Sequence, residues 1–120
     1  MHSDLLLQHF ANPRNVGELP EPAVTVEISN PACGDVLRLS ILFESGRASD
    51  ARFRTRGCTA SIAASSALTE LIKNQELESL QALSAADIER ALGGLAPESQ
   101  HAAALCVDAL RAALRKFGLK

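Results

Sequence analysis

Aromatic residues are scarce in this sequence, which contains no tryptophan, no tyrosine and four phenylalanines. Proteins that bind single-stranded nucleic acid stack bases on aromatic side chains, and this chain has few of them. An excess of basic charge is also missing, because twelve lysines and arginines stand against fourteen acidic residues, for a formal net charge of −2. We therefore expect no nucleic-acid partner.

Long apolar runs are missing too. A membrane-spanning helix needs about twenty consecutive apolar residues, and the runs in this sequence are far shorter. The cysteines number three, an odd count that does not suggest a framework of disulfides. We expect a cytoplasmic protein without a membrane partner, whose thiols stay reduced or bind metal.

The length and composition are typical of one compact domain. Of the 120 residues, 47% are apolar and 22% are charged. A chain of this length buries roughly two-thirds of the surface that it exposes when unfolded, which is enough for a core without disulfides. We expect a single domain spanning residues 1–120.

Apolar and polar residues alternate with a period of two in residues 24–28, 36–43 and 51–55, which predicts three strands. Asn30-Pro31 separates the first two strands, and the turn sequence Glu44-Ser45-Gly46 separates the last two. The short second connection indicates a hairpin. We predict an antiparallel meander.

Helical patterns lie on both sides of the strands. The helix starts that the pattern predicts are Ser3, Thr59, the capping box of Ser84 and Asp87, and Pro97 in the first turn of the last helix. Strands followed by helices favour an α+β fold, with a three-stranded antiparallel sheet and helices packed on one of its faces.

Two cysteines and an aspartate lie at predicted strand ends. Cys33-Gly34-Asp35 precedes the second strand, and Gly57-Cys58 follows the third. Residues i and i+2 of an extended chain project to the same side, and a thiolate at a helix start is favoured by the helix dipole. Because the start of one strand lies beside the end of the next in an antiparallel hairpin, we expect Cys33, Asp35 and Cys58 to converge. The residues by themselves leave two interpretations open: a site for metal or thiol chemistry, or two small buried cysteines.

Four segments in register carry a resemblance to a known family. They are HFANPRNVG at residues 9–17, PACGDV at 31–36, DARF at 50–53, and GC at 57–58 followed by IAASS at 62–66. Their order and spacing resemble the IscU/NifU-type iron-sulfur cluster assembly scaffolds over essentially the whole chain. The resemblance implies a SufE/NifU-like fold and a role as a scaffold, not an enzyme. A cysteine desulfurase delivers sulfur to such a scaffold, iron is added, and the labile cluster passes to recipient apoproteins.

The resemblance also implies a set of site residues. The first cysteine and the aspartate of the family fall on Cys33 and Asp35, the second cysteine falls on Cys58, and the histidine of the last helix falls on His101. Ala102 stands where the family has its third cysteine, which is a cluster ligand and the usual acceptor of persulfide sulfur. The segment LAPES at 95–99 also lacks the lysine of the family motif that a dedicated chaperone reads, so recognition by that chaperone is not implied.

The four remaining donors fit two kinds of metal centre. Cys33, Asp35, Cys58 and His101 offer thiolate, carboxylate and imidazole, which tetrahedral zinc accepts together. We expect zinc in the protein as isolated, and a transient [2Fe–2S] cluster during assembly. An aspartate oxygen is a poorer partner for iron-sulfide than a thiolate, so the cluster should be labile.

The third cysteine, Cys106, lies four residues beyond Ala102 and about one turn further along the same helix face. We interpret it as a small buried residue; a ligand role would require the helix to slide by one turn.

Three hypotheses follow for the function. The first is the assembly scaffold, and the second is a degenerate paralogue that keeps a zinc site and acts as a metal-binding or regulatory partner of the desulfurase. The third is a sulfurtransferase with Cys58 as nucleophile and His101 as base. In each case we expect a monomer or a weak homo-oligomer.

Overall fold

The computed structural model describes residues 2–31 and 34–118, so the predicted ligand Cys33 lies outside the described residues. The elements along the chain are α1 (Asp4–Ala11), β1 (Val24–Asn30), β2 (Asp35–Glu44), β3 (Arg47–Arg56), α2 (Thr59–Ile72), α3 (Leu77–Ala82), α4 (Ala85–Ala91), a 3-10 turn (Pro97–Ser99) and α5 (Gln100–Phe117). In the part of the chain that the structure describes, no helix is both long and apolar enough to cross a membrane.

The three strands form one antiparallel sheet in the order β1-β2-β3, as predicted. Asn30 pairs with Asp35 at the β1–β2 end of the ladder, and Val36 pairs with Arg56 on β3. The start of β2 therefore lies between the end of β1 and the end of β3. This register brings Asp35 to the point where the chain leaves the sheet for α2.

The helices cover one face of the sheet, also as predicted. Leu37, Leu39 and Ile41 of β2 are fully buried on that face, and Phe53 lies opposite Leu39 on β3. Helix α2 packs on β3, while α5 packs on β1 and β2. The other face carries the alternate residues, among them the exposed Arg54. The sheet and both long helices thus share one core.

The first helix begins where the sequence predicts. Ser3 caps it by accepting a hydrogen bond from the backbone N–H of Leu6 at 3.0 Å. On its inner face, His9 is buried and its Nδ1 lies 2.8 Å from the Oγ of Ser66 on α2. Burial and the neighbouring Arg14 guanidinium lower the pKa of His9. His9 therefore joins α1 to α2 as a packing residue.

Three details differ from the sequence prediction. Helix α3 (Leu77–Ala82) has only six residues, too few for a helical period to stand out, although Leu80 anchors it in the core. Pro97 begins a separate 3-10 turn, and α5 starts after it, at Gln100. The pairing of β2 with β3 skips Ser49 between Leu42 and Phe43, an irregularity that the alternation does not predict; Phe43 stays packed against the core, and its ring stacks on Phe117 with centroids 4.3 Å apart.

Candidate metal centre

Three of the four predicted ligands meet at one end of the sheet. Asp35 is the first residue of β2, Cys58 is the N-cap of α2, and His101 lies in the first turn of α5. One ligand atom from each of the three lies within 4.8 Å of the others. Cys33, the fourth, lies outside the described residues.

The carboxylate of Asp35 lies beneath Cys58. The backbone N–H of Cys58 donates to Oδ1 of Asp35 at 3.3 Å, and the Cys58 Sγ lies 3.7 Å from Oδ2. Asp35 is only 2% exposed, whereas Cys58 is exposed to solvent. The pair therefore offers a buried oxygen ligand and an accessible sulfur ligand.

Gly57 makes the approach between these two residues possible. A Cβ built at position 57 would lie 2.3 Å from the Oδ1 of Asp35 and 2.7 Å from its Cγ. Such distances are far inside van der Waals contact, so any side chain here would displace the carboxylate. A glycine at position 57 is thus a steric requirement of the site.

His101, on α5, is the third ligand of the group that Asp35 and Cys58 begin. Its Nε2 lies 3.3 Å from Oδ2 of Asp35 and 3.7 Å from Sγ of Cys58. Its Nδ1 lies 3.1 Å from the carbonyl oxygen of Glu98. Because a carbonyl can only accept, Nδ1 satisfies this contact when it carries a ring proton, and Nε2 is the ring nitrogen that faces the other two ligands and is placed to bind a metal with them.

Ser61 is a site residue that the sequence analysis missed. It is fully buried, its Oγ–H donates to Oδ2 of Asp35, and its Oγ lies 3.3 Å from Sγ of Cys58. The signal in the sequence is the spacing of three from Cys58, which puts both residues on the same side of the first turn of α2. Ser61 lies in a run of alanines and serines, so this spacing does not stand out in the sequence.

The two positions of α5 at which the sequence raised the question of a third thiol ligand, Ala102 and Cys106, both lie in the core. Ala102, where the resemblance leads us to expect a cysteine, is fully buried, and its methyl group offers no donor atom. Cys106 is fully buried as well, and burial raises the pKa of its thiol to about 12, against the opposing effect of a hydrogen bond with Ser65. At neutral pH the Cys106 thiol is protonated, which does not suit a metal ligand.

The chemistry of the donor set suits a metal ion. Thiolate, imidazole and carboxylate are the three ligand types that zinc accepts, and iron-sulfide accepts mixed cysteine and histidine ligation. The carboxylate is buried, while Cys58 and the side chain of His101, 30% exposed, lie toward solvent. Ions and ligands can therefore reach the group from one side.

Solved structures of other proteins share the fold of this chain. An N-terminal NifU-like protein from Brucella abortus superposes with a TM-score of 0.76 at 19% identity, covering 95% of this chain and 92% of that one. An iron-sulfur cluster assembly scaffold for the SUF system from Fervidobacterium islandicum superposes with a TM-score of 0.74 at 22% identity, covering 94% and 96%. These likenesses show a NifU-like fold.

Sequence comparison identifies the family. The model of the NifU-like N terminal domain matches residues 1–120. The iron-sulfur cluster assembly scaffold protein IscU of Azotobacter vinelandii is 42% identical over 97% of this chain and 93% of its own. IscU 1 of Archaeoglobus fulgidus, named in the same way, is 39% identical over 95% of this chain and 74% of its own. The chain therefore belongs to the NifU-like N-terminal domain family, which confirms the resemblance seen in its motifs.

Proposed function

We propose that this chain is a scaffold for iron-sulfur cluster assembly, which holds the growing cluster through Cys33, Asp35, Cys58 and His101 and passes it to recipient apoproteins. The observation that carries the proposal is the meeting of Asp35, Cys58 and His101, with ligand atoms within 4.8 Å, in a chain of this family. Residues 1–120 act as one scaffold domain.

The ligand set favours assembly over electron transfer. An electron carrier retains its cluster through a full set of thiolates, whereas here two of the four proposed ligands are a carboxylate and an imidazole. Cys58 is exposed, so a recipient thiol can approach the cluster directly. A weakly held and accessible cluster suits a protein whose product must leave.

The partners follow from the same chemistry. Sulfide has to be supplied, and we propose a cysteine desulfurase as its source. In the absence of iron and sulfide the mixed N, S and O donors suit tetrahedral zinc, which we propose as the form isolated. The protein then acts stoichiometrically, as the host of a cargo and not as a catalyst.

Anaerobic reconstitution with iron, sulfide and thiol tests the scaffold function. We expect absorption between about 300 and 600 nm and about one iron per sulfide, as in a [2Fe–2S] cluster. Cys58→Ser and His101→Ala should each reduce the yield, while Cys106→Ser, which changes a buried thiol outside the site, should leave it unchanged. Iron and sulfide contents near zero in the unmodified protein would count against assembly.

A second function is favoured by Ala102, whose buried methyl group replaces the third thiol that the resemblance leads us to expect. In this alternative the chain keeps a zinc site and acts as a metal-binding or regulatory partner of the desulfurase. Ala102→Cys separates the two. If only the variant forms a cluster or stimulates the desulfurase, the unmodified chain has the second function.

A further inference from the structure

The hydroxyl of Ser61 lies on the inner side of the candidate metal centre. It is fully buried, donates to Oδ2 of Asp35, and lies 3.3 Å from Sγ of Cys58. The other carboxylate oxygen, Oδ1, accepts from the backbone N–H of Cys58 at 3.3 Å. The first turn of α2 thus holds both oxygens of Asp35, one through its backbone and one through Ser61.

Asp35 needs these two hydrogen bonds to present a fixed oxygen atom as a ligand. Rotation about the last torsion of an aspartate is broad, so the backbone by itself does not decide where each oxygen points. Oδ2 is the oxygen that faces both His101 Nε2, at 3.3 Å, and Cys58 Sγ, at 3.7 Å. Ser61 donates to this oxygen and so keeps it on the side of the other two ligands.

Ser61 is itself held rigidly. It lies inside α2, and its backbone oxygen accepts a hydrogen bond at 2.8 Å from the hydroxyl of Ser65, one turn along the helix. The Oγ of Ser65 lies 2.8 Å from the Oγ1 of Thr55 on β3. The hydroxyl groups of Ser65 and Thr55 therefore connect the backbone of Ser61 to the sheet.

We propose that Ser61 is a positioning residue for the metal centre: its hydroxyl orients the carboxylate of Asp35 toward Cys58 and His101. The inference depends on the proposed function, because it takes those three side chains as ligands. Outer hydrogen bonds of this kind commonly change metal affinity by about 10- to 100-fold. Ser61 acts on the metal centre through Asp35, and its own oxygen stays hydrogen-bonded to the carboxylate.

The test compares Ser61→Ala with Ser66→Ala in the full chain. Ser66 is also buried on α2, but its hydroxyl contacts His9 of α1 and the backbone N–H of Arg14 instead of the carboxylate of Asp35. Zinc affinity is measured by chelator competition, and the cobalt(II) complex is followed by its visible and charge-transfer absorption. Circular dichroism melting checks that both variants fold.

We expect Ser61→Ala to lower zinc affinity by about 10- to 100-fold and to change the cobalt spectrum, while Ser66→Ala changes neither. In the metal-free protein, Ser61→Ala should also shift the amide resonance of Cys58, because that N–H donates to the same carboxylate. Wild-type affinity and an unchanged cobalt spectrum in Ser61→Ala would overturn the role of Ser61 and leave the scaffold function intact. If the unmodified protein bound no metal, the proposed scaffold function would be wrong. The role of Ser61 is tested separately in the metal-free protein, where an unchanged amide resonance of Cys58 in Ser61→Ala would overturn it.

Discussion

Gly57→Ala is the substitution that most directly tests the geometry of the metal centre. The added Cβ would lie 2.3 Å from Oδ1, 2.7 Å from Cγ and 3.1 Å from Cβ of Asp35. Ordinary contact begins near 3.4 Å, so the two groups must separate by about 1 Å. Asp35 is 2% exposed and cannot simply swing into solvent. Either the carboxylate or the backbone that carries Cys58 has to move.

The size of the effect can be estimated from these distances. Forcing one extra carbon into a packed site costs typically about 1–3 kcal/mol in the free energy of unfolding. A displaced carboxylate no longer faces Cys58 and His101, and a misplaced ligand support costs about 10- to 100-fold in metal affinity. That range corresponds to about 1.4–2.7 kcal/mol of binding free energy.

Gly94→Ala is the matched control for this experiment. Gly94 follows α4 with a positive φ of +104°, and a Cβ there would have no atom of the described residues within 4 Å. Both variants are measured by urea denaturation and by zinc competition. We expect both to lose stability, but only Gly57→Ala to lose affinity. Equal zinc affinity in Gly57→Ala and the unmodified protein would refute the reasoning, because the carboxylate would then not need its present place.

Three further predictions concern buried residues of α1 and α5. Because burial and Arg14 lower the pKa of His9 below its ordinary 6.5, the unfolded chain takes up this proton first. Its contribution to stability is therefore complete above about pH 6.5 and declines as the pH falls through 6.5 toward the folded pKa. Urea denaturation at about pH 7.5 and about pH 5.5 should show a smaller loss in His9→Gln than in the unmodified protein; an identical loss would contradict this origin. The buried Cys106 thiol, with its pKa raised to about 12, should resist iodoacetamide in the folded protein and react only on unfolding, whereas Cys58 reacts at once; equal rates by mass spectrometry would contradict the burial of Cys106. Ala102→Cys adds a sulfur atom to a fully buried position, so thermal melting should show a loss of about 1–3 kcal/mol; unchanged stability would indicate spare room beside α5.

Much of the fold follows from local patterns. The alternation of Leu37, Leu39 and Ile41 predicts both the strand β2 and the face that it buries, because the side-chain period of a strand leaves no other arrangement. The capping box of Ser84 and Asp87 forms as predicted, since its hydrogen bonds join residues only three apart. Features that depend on a few neighbouring residues can be inferred from their order alone.

Other features depend on contacts that no local pattern records. The pairing of β2 with β3 skips Ser49 between Leu42 and Phe43, and this follows from how the two strands pair. Ser61 looks like any other member of a run of small residues until Asp35 is seen to lie against it. Helix α3 (Leu77–Ala82) exists because the core receives Leu80, not because six residues form a stable helix alone.

The sequence by itself determined the order of the strands and, apart from α3, of the helices, together with the family and the types of donor available at Asp35, Cys58 and His101. Their meeting was decided by tertiary structure, because 23 residues separate Asp35 from Cys58 and a further 43 separate Cys58 from His101. Sheet register brings the first two together, and the packing of α5 on the sheet brings the third. These are interactions between distant segments, so their distances arise only when the whole core forms.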